Sequence, residues 1–240
     1  MLNLAARVWR HDNGMSWLDA PPLIEMERGP ARKPYPLSWD EQDRRFRELP
    51  GHLQRIALFK VNTGCRKQEV LQLRWNWEVQ VPELDTSVFI LPSNEQFQTK
   101  NSQERVVTLN SIARRIVDEQ RGKHRELVFT YRGKPTKSIL NSGWKLARAR
   151  AGLAHVRVHD LRHTYGHRLR AAGVGFEDRQ DLLGHKSERM TTHYSATDIS
   201  RLIEAAESVC KRRPDTVLRI SHTNLTQLAS PTKTVEEGRV

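Results

Sequence analysis

Two arginines, a tyrosine, a lysine and two histidines, spread over distant stretches of the chain, could act together at a phosphodiester. The stretches are Thr63-Gly64-Cys65-Arg66-Lys67-Gln68-Glu69, Thr99-Lys100-Asn101, His159-Asp160-Leu161-Arg162-His163, and Leu183-Gly184-His185 followed by His193-Tyr194. Arg66 and Arg162 each offer a planar fork of donors that matches two phosphate oxygens. Phosphoryl transfer is catalysed mostly by positioning and by neutralising charge on the nonbridging oxygens, so two forks on one phosphate suit it. Tyr194 is a poor nucleophile at its free pKa of about 10 and needs a base and a cationic pocket. His159 could be that base, and His185, which follows a glycine and opens another short element, could donate to a phosphate oxygen. Lys100 could protonate a leaving oxygen if burial or nearby cations lowered its pKa. His159 and Arg162, three apart at the beginning of a helix, are neighbours on one face, and the helix N-terminus adds partial positive charge. Glu69, three residues after Arg66, could orient its guanidinium or form an ordinary surface pair; spacing alone does not separate the two.

Other chemistries fit less well. His159, His163 and His167 recur at four-residue spacing, as zinc ligands on one helix can, but no HExxH motif and no supporting cysteine accompanies them. No metal or cofactor is therefore expected, and His163 reads as a structural neighbour of the site. Taken singly, most of these residues could be core filler or simple phosphate anchors. Taken jointly they point to chemistry.

The charge agrees. Forty lysines and arginines face 28 acidic residues, a formal net charge of +12. The excess is concentrated in residues 121–170, where thirteen basic residues meet only Glu126 and Asp160. A concentrated positive field is the footprint of a polyanion ligand, because neutralising phosphates releases condensed counterions. A solubilising surface would interleave both signs. Cys65 and Cys210 are the only cysteines, too few for a disulfide framework and in keeping with a reducing compartment. No apolar run is long enough for a membrane helix, and Met1 to Arg10 lacks the apolar stretch of a secretory signal. The expected location is cytoplasmic, with nucleic acid as the partner and no membrane.

The elements that must position these residues are legible in outline. Residues Leu2 to Trp9 suggest a helix, Asn13-Gly14 a turn, and Gly29 to Pro36 a proline-rich basic linker. Ser38 followed by Glu41 is a capping-box pattern that opens a helix through about Leu49. Residues 52–62 carry helical spacing, with Gly64 as a C-terminal stop, and 66–74 form a further helical pattern. Trp75 to Val81, Thr86 to Leu91 and Arg105 to Leu109 read as strands, with the polar segment Ser93 to Ser102 joining the last two. Asn110 caps a helix to about Gln120, and Gly133-Lys134-Pro135 marks a turn. From Leu140 onward the pattern is helical, broken near 152–157, 173–175 and 184–186. The fold class is α+β, mainly helical with a small antiparallel β-sheet, over roughly residues 36–206.

Thr-Gly-x-Arg-x-x-Glu, Thr-Lys, His-x-Leu-Arg-His-Thr, Leu-Gly-His and a tyrosine nine residues later, in this order, resemble the tyrosine recombinase or phage integrase family. The resemblance spans residues 38–205. It implies a catalytic domain in which Arg66, Lys100, His159, Arg162 and His185 surround Tyr194. It further implies that Tyr194 attacks a DNA phosphate to give a 3′-phosphotyrosyl link and a free 5′-hydroxyl. Lys100 would protonate the leaving oxygen, the arginines and His185 would hold the transition-state charge, and His159 would serve as acid/base partner. A 5′-hydroxyl from a partner duplex then reverses the step, without ATP or metal. The implied partners are double-stranded DNA, a homo-tetramer on paired DNA sites, and accessory directionality or DNA-bending proteins, in the integration or excision of mobile or phage DNA in a bacterial or phage-host nucleoid. Cys65 stands where relatives more often carry a larger apolar residue, a change of packing only.

On this resemblance residues 1–35 are a remnant of an N-terminal core-binding domain plus linker, 36–206 the catalytic domain, and 207–240 a disordered C-terminal tail. Leu2 to Leu18 resembles only the closing helix of the N-terminal domain. Two other readings stay open: a strand-relaxing topoisomerase of the type IB kind, and a DNA-binding remnant without chemistry. Ile199, Leu202, Ile203 and Ala206 form a helical apolar pattern that could dock on a neighbouring protomer or on its own domain.

Overall fold

The computed structural model of the chain describes residues 2–20, 32–95, 97–99, 102–185 and 195–212. It divides into two compact units, Met1–Lys33 and Pro34–Val240. In the first, helix α1 (Leu2–Arg7) is followed by a tight reversal at Asn13-Gly14. Gly14 takes φ 79°, and the amide of His11 donates to the Met15 carbonyl at 2.8 Å. The returning segment, joined to the first by an isolated bridge between Arg10 and Ser16, lays Trp17 against His11, ring centroids 5.5 Å apart, and against Trp9.

In the second unit, helix α2 (Trp39–Arg47) begins at the capping box expected from the sequence: Ser38 Oγ accepts from the Glu41 amide, and the Glu41 carboxylate accepts from the Ser38 amide. Helix α3 (Gly51–Thr63) is the central element, packed by α2, by helix α5 (Ser111–Asp118) and by helix α7 (Asp160–Ala171). Gly64 ends α3 at φ 63°, where an added Cβ would lie 2.6 Å from the Tyr165 ring, so only glycine fits that stop. The next helix, α4 (Lys67–Leu71), is shorter than the 66–74 pattern suggests. Its continuation is pulled out of helical form, with Arg74 bridging Leu127 and the Val128 amide donating to the Leu73 carbonyl.

Strands β1 (Glu78–Val81), β2 (Thr86–Leu91) and β3 (Arg105–Val107) form one antiparallel sheet in chain order. Glu78 faces Phe89, and Leu91 faces Arg105. The expected first strand loses its beginning: Trp75–Trp77 is a 3-10 turn, held by the Trp75 amide on the Glu126 carbonyl and its indole on the His124 carbonyl. Asn110 caps α5 through the Ala113 amide, as its position predicts. A two-stranded hairpin, β4 (Thr130–Tyr131) and β5 (Lys134–Pro135), turns at Arg132-Gly133. Helices α6 (Ser142–Arg150), α7, α8 (Phe176–Leu183) and α9 (Ala196–Glu207) complete the unit, broken where glycines fall in the sequence. The α+β class with a small antiparallel sheet is what the structure shows.

The main core gathers α3, the sheet, α5 and α6 around Phe59, Phe89, Ile116, Phe129 and Trp144. A second cluster joins Tyr165 and Leu169 of α7, Leu182 of α8, and Leu202 and Ala206 of α9. The apolar face of α9 is thus covered by its own domain, with Ile199 on Val81 and Val88 of the sheet. The described fold continues past Glu207 into a 3-10 turn, Ser208–Cys210, with Val209 buried.

Candidate active site

The site is built on the turn between α3 and α4. Thr63, Gly64 and Cys65 present three successive carbonyls, and three cations from three elements hold them. Arg105 of β3 donates to the Thr63 carbonyl at 3.2 Å, Arg162 of α7 to the Gly64 carbonyl at 2.8 Å, and the Lys60 ammonium of α3 to the Cys65 carbonyl. The next residue is Arg66. Its guanidinium donates to Glu69 Oε1 at 2.8 Å and to the Gly184 carbonyl at 2.9 Å, which ties α4 to the end of α8.

Glu69 is the hub. It is buried and takes the Arg66 amide at 2.7 Å, the Arg66 guanidinium, and the Arg105 guanidinium. Burial alone would raise its carboxyl pKa, but Arg105 and Arg66 outweigh that and hold it below the ordinary value. The two readings of Glu69 are thereby separated: it orients Arg66 from inside the protein and is no surface pair. Arg105 also donates to the Leu182 carbonyl at 2.7 Å, so one buried guanidinium links α3, α4 and α8.

Arg162 is buried at 5% exposure, and burial, with Arg105 and Arg66 nearby, lowers its pKa to about 9. Among the described residues, one of its nitrogens is engaged, on Gly64; no hydrogen bond from the other two is found. His159 is the N-cap of α7, and its ring stands edge-on to His163, centroids 4.7 Å apart. Burial, then His163, Lys60 and Arg162, push its pKa down to about 4. A neutral imidazole is the form a proton acceptor needs. The start of α7 is held by Asp160, fully buried, whose carboxylate accepts from the Arg157 amide at 2.7 Å.

His185 differs from expectation. It does not open a new element but closes α8: its amide donates to the Gln180 carbonyl at 3.0 Å and the Gly184 amide to the Asp181 carbonyl at 2.9 Å, the two bonds of a Schellman cap. Gly184 sits at φ 58°, where a Cβ would lie 2.4 Å from Arg105 Cδ. Burial, followed by Arg162 and Arg66, lowers the His185 pKa.

His159, Arg162, His163 and His185 share a cleft of about 400 Å³, together with Arg170 and Arg179. The structure therefore brings together Arg66, His159, Arg162 and His185, four of the six residues expected from the sequence. Lys100 and Tyr194 lie outside the described residues. Near the former, Thr99 Oγ1 donates to the Gln103 carbonyl at 2.6 Å, and the Ser102 amide donates to the Thr99 carbonyl at 3.0 Å. Among the described residues no group of three His, Cys, Asp or Glu is arranged to hold a metal ion, and no helix is long and apolar enough to cross a membrane.

Sequence reasoning missed two residues. Arg105 opens a strand whose inward positions, Arg105 and Val107, are buried, and that alternation was the available signal. Lys60 lies on the apolar stripe of α3 with Leu53, Ile56 and Thr63, a charged residue where the helix faces inward.

Comparison with known proteins bears on the same region. The Phage integrase family model matches residues 43–201. The integrase of Salmonella phage P22 is 28% identical over 235 residues, covering 92% of this chain and 57% of that protein. A tyrosine recombinase XerC-like protein of Caldanaerobacter subterraneus is 29% identical over 189 residues, 64% of this chain and 48% of its own length. The chain thus spans about half the length of these curated relatives. Among solved structures, the integrase of mycobacterium phage Brujita superposes with a TM-score of 0.54 at 22% identity, over 95% of this chain and 73% of that one. A lambda integrase dimer bound to a COC′ core site gives 0.54 at 17% identity, over 86% and 56%. These neighbours share the fold. With the family model covering more than half of the residues, including the whole Arg66–Glu69–Arg162 centre, the chain belongs to the phage integrase family of tyrosine recombinases.

Proposed function

We propose that this chain carries the catalytic domain of a site-specific DNA recombinase that cuts and rejoins DNA through a 3′-phosphotyrosyl intermediate. The observation that carries this reading is the pairing of Arg66 and Arg162. Each is fixed by a backbone carbonyl from a different part of the chain, and both act electrostatically on His185, beside a cleft that His159 and His185 line. Rigidly held guanidiniums stabilise phosphoryl-transfer charge without reorganising at the moment of reaction.

In this reading Tyr194 attacks the scissile phosphate, and the 5′-oxygen leaves with a proton from Lys100. Arg66, Arg162 and His185 carry the charge on the nonbridging oxygens. Neutral His159 takes the tyrosine proton. Religation reverses each transfer with a 5′-hydroxyl of the same or a partner duplex. Residues 36–206 form the catalytic domain, residues 1–35 belong to an N-terminal DNA-clamping part, and work on paired sites calls for a tetramer in the cytoplasm of the host cell. Accessory bending or directionality proteins would set the outcome between integration and excision.

The test is incubation of the chain, and of Tyr194→Phe, with a labelled duplex nicked near candidate scissile phosphates. A covalent adduct with the parent that vanishes in the variant is the expected result. Salt-sensitive duplex binding without an adduct from either protein would replace this reading with DNA binding alone.

A further inference from the structure

Lys60 stands apart from the residues considered so far. It is 1% exposed, one turn before the end of α3, and its only described hydrogen bond is to the Cys65 carbonyl. The charged and titratable groups around it are the Cys65 thiol and Glu69 on the turn and α4, Arg105 on β3, and Arg162, His159 and His163 on α7. Glu69 is the one carboxylate in that set, and two guanidiniums already share it. A buried ammonium with no carboxylate of its own is costly, and an apolar side chain of equal length would fill the same face of α3. Its placement makes sense through its one bond, since the Cys65 carbonyl belongs to the residue before Arg66.

We propose that Lys60 is a positioning residue for Arg66: its ammonium grips the Cys65 carbonyl and so fixes the turn that delivers the Arg66 guanidinium to the phosphate. The proposal deepens the recombinase reading and rests on it for the identity of the phosphate. Thr63 and Gly64 are held from outside the helix, by β3 and α7, whereas Lys60 holds Cys65 from within α3 itself. The turn is pinned at three consecutive carbonyls, and removing the third leaves the Cys65–Arg66 peptide held on one side alone, through its amide on Glu69. The surplus of cations gives the site a second property. Burial lowers the Lys60 pKa to about 7, so the grip is that of a full ammonium below neutrality and of a neutral amine above it. A bound phosphate, bringing negative charge into the set, favours the ammonium.

The experiment is a double-mutant cycle on the full chain: the parent, Lys60→Met, Arg66→Ala and the double variant. Affinity for a nicked duplex is measured against salt and pH, and the phosphotyrosyl adduct is followed in parallel. Lys60→Met is expected to weaken binding about tenfold and, like Arg66→Ala, to lower the salt slope by about one. In the Arg66→Ala background it should cost less than twofold. Parent affinity should fall as pH rises from 6.5 to 8.5 by more than that of Lys60→Met. Losses that simply multiply, or a pH dependence identical in the two proteins, would overturn the proposal. Should Lys60→Met fail to fold, Lys60→Gln, neutral and still a donor, enters the same cycle under the same criteria. If the parent forms no adduct, the cleavage reading fails while the binding cycle still decides the role of Lys60.

Discussion

Replacing Glu69 by alanine should unfold the site's foundation rather than merely weaken its chemistry. Glu69 accepts three hydrogen bonds, from the Arg66 amide at 2.7 Å, the Arg66 guanidinium at 2.8 Å and the Arg105 guanidinium. Its side chain is 2% exposed and that of Arg105 is 4% exposed, so water replaces neither partner. Without Glu69, Arg105 keeps only the Thr63 and Leu182 carbonyls, and a buried cation loses its counter-ion. Removing one member of a buried pair costs about 3–5 kcal/mol. For a domain of this size that lowers Tm by roughly 6–20 °C. Urea unfolding at pH 7 measures the loss, with Glu69→Gln expected to lose less because it can still accept from Arg105. The pH dependence has a definite sign. The folded carboxyl lies below its ordinary 4.5, so the contribution is complete above that value and disappears as pH falls through the folded one. An alanine variant that loses less than about 1 kcal/mol would refute the placement of Glu69 as the counter-charge of Arg105.

Gly184→Ala should lower stability by about 1–3 kcal/mol and displace Arg105, since its Cβ would meet the Arg105 side chain at 2.4 Å and the residue sits at φ 58°; calorimetry reads the first effect and duplex affinity the second. Lys60→Met should raise stability at pH 7 while weakening function. Holding the ammonium near 7 against an ordinary 10.5 costs up to about 5 kcal/mol, less whatever the Cys65 bond returns. Because the unfolded chain binds the extra proton between those values, parent stability should climb from pH 7 to 10.5, and the climb should be smaller in the variant. If His159 is the acceptor of the tyrosine proton, the acid limb of the cleavage rate belongs near pH 4, where this imidazole titrates, and a limb at 6.5 would assign the role elsewhere.

What could be read in the chain beforehand was whatever local chemistry controls. The Ser38 capping box, the Asn110 cap, the glycine stop at Gly64 and the six residues of β2 are set by neighbours in sequence, and each appears where its pattern puts it. Trp75–Trp77 went astray because bonds to Glu126 and His124, some fifty residues away, override an apolar run that favours a strand. A histidine after glycine looks the same in sequence at either side of a cap; the bonds of His185 and Gly184 to Gln180 and Asp181 place His185 at the end of α8. In the site, Arg66, His159, Arg162 and His185 were identifiable from type and spacing. Arg105 and Lys60 fall on inward positions of a strand and a helix, which pattern can show, but the purpose of a buried cation becomes intelligible only beside the carbonyls it serves. Lys100 and Tyr194, also read from motif, fall outside the described residues.

The joining of Gly184 to Arg66 and of Leu182 to Arg105 bears on how the molecule folds. The centre is closed by hydrogen bonds between residues 118, 98 and 77 positions apart in the chain. Contacts of such separation form late, after the loop entropy between them has been lost. None of the described helices or hairpins can hold the Arg66–Arg162 geometry alone, so a nascent or partly unfolded polypeptide carries the arginines but not the pocket. On the proposed recombinase reading, competence for chemistry at a phosphodiester arrives only with the last long-range closure, and an incomplete molecule would leave DNA uncut for the same reason that it is incomplete.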